Sequence, residues 1–156
     1  MKQFNLPPIV EGVLFDIDNT LYEHRDYVDH QIAVLTERLA EVLGRSHEEV
    51  ATEVEEQRKD AAEARGGRRP SLGNAFLEFY DIPITTSVAW REELIEPEAY
   101  LSKDWELRER LELLSQRAAI CAVTNNPLSI GERTLKALGI GDLLPVVSGL
   151  DTSGVS

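Results

Sequence analysis

Two carboxylates one residue apart, in Asp16-Ile17-Asp18-Asn19-Thr20, are the first residues in the chain whose types and spacing suit chemistry. In an extended segment residues i and i+2 point to the same side, so both side chains can converge on one small volume. Two carboxylates that close repel each other. They coexist when a cation lies between them or when one holds a proton, and either arrangement suits catalysis. Mg2+ matches the first case, because it takes hard oxygen ligands and commonly bridges a carboxylate to a substrate phosphate. The same residues also fit an Asx-turn or helix cap in which both aspartates satisfy local amides. A second group, Thr124-Asn125-Asn126, offers a hydroxyl beside the first amides of a helix, an arrangement that holds anions. Alone, it also reads as a strand followed by an N-cap.

Both groups end apolar runs. Val10-Glu11-Gly12-Val13-Leu14-Phe15 reads as a buried strand, and Ala119-Ile120-Cys121-Ala122-Val123 as another. In a parallel α/β sheet, ligands bind beyond the carboxyl ends of the strands, where both groups stand. Between them the period changes. Val28, Ile32, Leu35, Leu39 and Val42 recur at helical spacing before Gly44, and Ser46 to Glu49 has the spacing of a capping box. Two further helices are expected around Leu72 to Tyr80 and Ser87 to Ile95, the second closed by Pro97. Asp104 caps a helix carrying Leu107, Leu111 and Leu114, and Pro127 suits the first position of a helix that stops at Gly139. Val146-Val147-Ser148 is a third short strand, followed by a loop over 149–154.

This order describes an α/β fold: a Rossmann-like parallel sheet core, residues 1–22 and 101–156, with an all-helical insertion over 23–100. Three strands make a thin core with unpaired edges, so the sequence is expected to be truncated.

Composition narrows the function classes. The 156 residues suit one domain or a small core with an insertion, and 42% hydrophobic with 28% charged residues is ordinary for a globular chain. The longest apolar run, Ala118 to Val123, is far shorter than a spanning helix of roughly 20 residues. Sixteen basic against 28 acidic residues give a net charge of −12, a field that repels nucleic acid and anionic lipid. An anionic substrate would need a local attractor. No export signal opens the chain, and a single cysteine, Cys121, suits a reducing compartment. A cytoplasmic protein is expected, with neither nucleic acid nor membrane as partner.

Phe15-Asp16-Ile17-Asp18-Asn19-Thr20-Leu21-Tyr22 resembles the first motif of the haloacid dehalogenase (HAD) superfamily, and Ala122-Val123-Thr124-Asn125-Asn126 resembles its second. The stretch 23–100 stands where that superfamily carries its helical C1 cap, and Leu135 to Ile140 followed by Val146 to Ser148 fits the run toward its third strand. The Asn19-Thr20-Leu21-Tyr22 ending is most similar to the pyrimidine 5′-nucleotidase-like branch. The resemblance implies a Mg2+-dependent phosphatase acting on a small phosphorylated metabolite, such as a nucleotide. Asp16 would be the nucleophile that forms an aspartyl-phosphate, and Asp18 the acid and base. The Asp16 carboxylate and the Asp18 carbonyl would bind Mg2+, while Thr124 and the Asn125 amide hold the phosphoryl oxygens. The family's third-motif lysine and fourth-motif acidic residues have no counterpart here. Lys136, Asp142 and Asp151 stand at the wrong places.

Other features read as structural. Arg65, Arg68 and Arg69 look like a solvated loop cluster, His24 an exposed loop residue, and His30 and His47 helix-surface residues. Trp90 and Trp105 look like packing residues, and Cys121 core. Two readings compete with the phosphatase: a non-catalytic phosphate-binding or regulatory relative, and a phospho-accepting receiver domain. The receiver fold has no place for a long helical insertion after its first strand.

Overall fold

The computed structural model describes residues 9–150. In chain order the elements are β1 (Gly12–Asp16), α1 (Arg25–Leu43), α2 (His47–Ala64), α3 (Leu72–Tyr80), α4 (Ile84–Leu94), α5 (Pro97–Tyr100), α6 (Trp105–Ser115), β2 (Ala119–Pro127), α7 (Leu128–Ala137) and β3 (Val146–Leu150). They fall into two compact units. One takes the chain up to His24 together with Pro97–Gly149, and the other is built on Arg25–Glu96.

The first unit is α/β. Its sheet has the order β1-β2-β3, with β1 and β2 parallel and in register from Gly12 opposite Ala119 to Asp16 opposite Val123. Alternation along β2 buries Ile120, Ala122 and Thr124 and leaves the residues between them more open. Helix α7 covers that buried face with Ile130, Gly131, Thr134 and Leu135, spaced to share one side of the helix. Gly131 permits the close approach. A Cβ there would come within 3.0 Å of Thr124 Cγ2 and 3.4 Å of Ile17 Cδ1. Leu14 and Val147, by contrast, are 64% and 58% exposed, so the thin sheet leaves apolar strand residues open.

The second unit is helical. Helix α1 packs on α2 and α4, and α3 packs on α2 and α4. Leu35, Leu39, Val50, Val54, Phe76 and Trp90 form its core, with the Phe76 and Trp90 rings edge to face at 6.2 Å. Helix α2 buries only Val50 and Val54, so its fixed ends matter. Ser46 Oγ accepts from the Glu49 amide at 3.4 Å and donates to the Glu49 carboxylate at 2.8 Å. Such a cap contributes about 1 kcal/mol. The Tyr80 hydroxyl donates to Glu53 at 3.0 Å, and burial with that neighbouring carboxylate pushes the phenol up to about 12.

The structure corrects several local expectations. Helix α4 begins at Ile84 rather than Ser87 and ends ahead of Pro97, which opens the single turn of α5; that turn packs on α7 and ties Glu98 to Arg133 at 2.7 and 2.8 Å. Pro127 caps α7 from outside, at the N-cap rather than the first helical position. Thr124 to Asn126, expected to end the strand, are the last residues of β2 before Pro127. Strand β3 extends through Gly149 and Leu150, the first two residues of the loop expected over 149–154, and the other four lie outside the described residues. Trp105 is 67% exposed with Lys103 Nζ over its ring, Cys121 is only half-buried, and Ile32 and Val42 face outward from α1. His30 is half-buried rather than on the surface. No helix among the described residues is long and apolar enough to cross a membrane.

Candidate active site

Strand β1 ends at Asp16, and the chain turns immediately. The amides of Thr20 and Leu21 bond to the Ile17 carbonyl at 3.3 and 3.0 Å, Asn19 takes a left-handed conformation at φ 58°, and Asp18 forms an isolated bridge with Tyr22. Asparagine tolerates that conformation better than most residues, which suits it to the tip of this turn. Ile17 anchors the turn, being 1% exposed and directed toward Gly131 of α7. The two carboxylates on either side of it therefore stand on a rigid footing.

They have separate partners. Asp16 is exposed, and its Oδ2 accepts from the Thr20 hydroxyl at 3.1 Å. Asp18 is half-buried and accepts three hydrogen bonds. The Tyr22 hydroxyl reaches Oδ1 at 2.6 Å, while the Thr124 hydroxyl at 3.3 Å and the Asn126 side-chain amide at 3.0 Å both reach Oδ2. The Asn126 main-chain amide in turn donates to Thr124 Oγ1 at 3.0 Å. The end of β2 is thus bonded to the turn after β1. Of the four residues expected to form a site, Asp18 and Thr124 are in direct contact. Asp16 stands at the end of the neighbouring strand, and Asn125 is exposed on the side of β2 opposite Thr124.

Tyr22 and Asn126 are the residues that sequence reasoning missed. A signal for Asn126 existed: with β2 continuing past Val123, positions 124 and 126 share a face. The first amides of α7 are also more enclosed than expected. A Cβ on Gly149 would lie 3.0 Å from the Asn126 carbonyl oxygen and 3.0 Å from the Leu128 nitrogen, so β3 passes against the entry to that helix.

Around this cluster, His24 is half-buried with its ring edge-on to Tyr100 at 6.1 Å. It lines a groove of about 410 Å3 with Tyr22, Tyr100, Leu101 and Leu138. A larger cavity of about 980 Å3, bounded by Trp105, Arg108, Leu135 and Asp142, includes none of the four expected site residues. Arg65 pairs with Glu78 at 2.6 Å and Arg69 pairs with Glu55, so those two cations of the loop cluster are spent on local carboxylates.

An exposed carboxylate at a strand end is sterically free to attack an electrophile, and a second one beside it is held in one orientation by three donors. Among the described residues no group of three or more carboxylate, imidazole or thiol side chains gathers to hold a metal.

No curated protein matches the chain. A family model does: that of haloacid dehalogenase-like hydrolases matches residues 10–156, a span that includes both strand-end groups and the helical unit between them. The chain belongs to the haloacid dehalogenase-like hydrolases.

Proposed function

We propose that the protein is a Mg2+-dependent phosphatase that hydrolyses a small phosphomonoester through an aspartyl-phosphate. The observation that carries this reading is the bonded set Asp18, Thr124 and Asn126, standing beside the strand end that presents Asp16. Asp16, exposed and accepting from the neighbouring Thr20 hydroxyl, is the nucleophile. Asp18 protonates the leaving oxygen and then takes a proton from the water that cleaves the acyl phosphate. Its bond to Tyr22 suits both roles, because a phenolic hydroxyl donates to a carboxylate and accepts from a carboxylic acid. Thr124 and the Asn125 amide hold the phosphoryl oxygens, and for this the Thr124 hydroxyl turns its proton from Asp18 to the substrate.

The donor set fits Mg2+. The Asp16 carboxylate and the Asp18 main-chain carbonyl would hold it, since both Asp18 side-chain oxygens already accept hydrogen bonds. When bound, the ion offsets the repulsion between an anionic nucleophile and an anionic ester. The helical unit serves in this reading as a cap, and the substrate is a small phosphorylated metabolite, with neither nucleic acid nor membrane as partner. The unpaired Cys121 suits a cytoplasmic setting.

The acid role has a specific test. Asp18→Asn is expected to lose far more activity on an alkyl phosphate, whose leaving oxygen needs a proton, than on p-nitrophenyl phosphate, whose leaving group does not. Both activities should require Mg2+. Equal losses on the two substrates would contradict the assignment of Asp18 as the acid.

A further inference from the structure

Among the described residues, Arg91 is the one charged residue that is buried, at 7% exposure. Most arginines of this chain stand beside carboxylates, including Arg38 with Glu93, Arg45 with Glu53, Arg108 with Asp142 and Arg133 with Glu98. Arg91 does not. Its Nη1 donates to the Ser87 carbonyl at 3.3 Å and to Ser87 Oγ at 3.1 Å, and among the described residues nothing accepts from Nε or Nη2. A guanidinium keeps its proton at any physiological pH, so burial without a counter-ion is a standing cost. Burial accordingly pulls the Arg91 guanidinium below its ordinary value, and no carboxylate opposes the shift.

The surroundings are built around the group. Ser87 is fully buried and spends its own proton on the Ile84 carbonyl at 3.1 Å, so its oxygen is aligned to accept from Arg91. Gly73 of α3 leaves room beside the guanidinium: a Cβ there would come within 2.9 Å of Ser87 Oγ and within 3.4 and 3.7 Å of Nη1 and Nη2. With Nη1 fixed, the Nη2 and Nε edge keeps two parallel donors, the fork that matches two oxygens of a phosphate or carboxylate.

We propose that Arg91 binds an oxyanion, a phosphate or carboxylate group of a small molecule, through Nη2 and Nε, with Ser87 fixing the guanidinium and Gly73 making room for it. The site lies within the helical unit and does not depend on the hydrolytic reading. The bound group supplies a negative charge that no described carboxylate supplies at this position.

Calorimetric titration of the full chain in chloride buffer tests this, with inorganic phosphate in one arm and succinate in the other, on wild type, Arg91→Met and Thr124→Val. The expected result is binding that survives Thr124→Val and weakens at least about tenfold in Arg91→Met. Arg91→Met should also melt at or above the wild-type temperature in chloride alone, because replacing an unpaired buried charge by an apolar side chain is neutral or stabilising. Response to phosphate alone or to succinate alone identifies which oxyanion the site takes. Phosphate binding that is lost in Thr124→Val but kept in Arg91→Met would overturn the proposal, as would no binding of either anion. Should Arg91→Met fail to fold, the Arg91 Nε–Hε resonance of the wild-type protein decides: it moves on titration if the proposal holds, and stays fixed if it does not.

Discussion

The side-chain amide of Asn126 donates to Asp18 Oδ2 at 3.0 Å, so a residue near the end of β2 positions a carboxylate in the turn after β1. The Asn126 main-chain amide bonds Thr124 Oγ1 at 3.0 Å, and the Thr124 hydroxyl bonds the same Asp18 oxygen at 3.3 Å. The three residues close a small triangle. Asp18 is held from β2 as well as from its own turn.

Asn126→Ala opens one side of that triangle without changing charge. Misplacing a reacting group by about 1 Å can cost about 100-fold in rate, so kcat is expected to fall by about 10- to 100-fold with KM little changed. Asn126→Asp, which sets a second carboxylate against Asp18, should fall further. Steady-state kinetics on a phosphomonoester reads both variants, and wild-type kcat in Asn126→Ala would remove Asn126 from the site.

How far the sequence reached is visible in these same residues. Asp16, Asp18 and Thr124 were legible because each stands at the end of an apolar strand pattern, and strand ends are where parallel sheets place ligands. Asn126 and Tyr22 were not. The strand period sets Asn126 on the face of Thr124, but its bond to Asp18 spans more than a hundred residues of chain, and Tyr22 reaches Asp18 through a turn that folds back on itself, so no local period names either partner. In α1 the spacing of Val28, Ile32, Leu35, Leu39 and Val42 announced a helix, but the buried side holds Tyr27, Leu35, Thr36, Leu39 and Ala40. Packing, rather than residue type, chose that face, and Val42 was left outside at 56% exposure.

Two glycines in the first unit should respond differently to alanine. At Gly149 the new Cβ meets backbone, 3.0 Å from the Leu128 nitrogen and 3.1 Å from its Cα, and backbone yields poorly. Gly149→Ala is expected to destabilise the protein by about 1–3 kcal/mol in urea unfolding. At Gly131 the obstacle is the Thr124 methyl at 3.0 Å, and alanine gains up to about 1 kcal/mol in helix propensity. Gly131→Ala should therefore cost less stability than Gly149→Ala, yet lower kcat by displacing Thr124. Unchanged kcat in Gly131→Ala would separate Thr124 from the reaction.

A pH-dependent contribution comes from Arg108 and Asp142, joined by two bonds of 2.7 and 2.8 Å. The guanidinium's hydrogen bonds hold the Asp142 carboxyl down at about 2, below the ordinary carboxylate range. A carboxyl depressed on folding stabilises the folded protein above its unfolded pKa of about 4 and loses that contribution as pH falls toward its folded value. Asp142→Asn is accordingly expected to melt below wild type at pH 7, with the gap closing between about pH 4 and pH 2. A gap that stays constant over that range would show that the pair acts through shape and not charge.

A nucleophilic Asp16 must carry the phosphoryl group during turnover, and the most direct measurement looks for that phosphorylated form. Wild type and Asp16→Asn are mixed with p-nitrophenyl phosphate and Mg2+, quenched in acid during turnover, and digested for mass spectrometry. The predicted result is a phosphoryl adduct on Asp16 in wild type, with neither adduct nor hydrolysis in Asp16→Asn. Hydrolysis by Asp16→Asn at the wild-type rate, or the absence of any adduct on Asp16 in wild type, would contradict it.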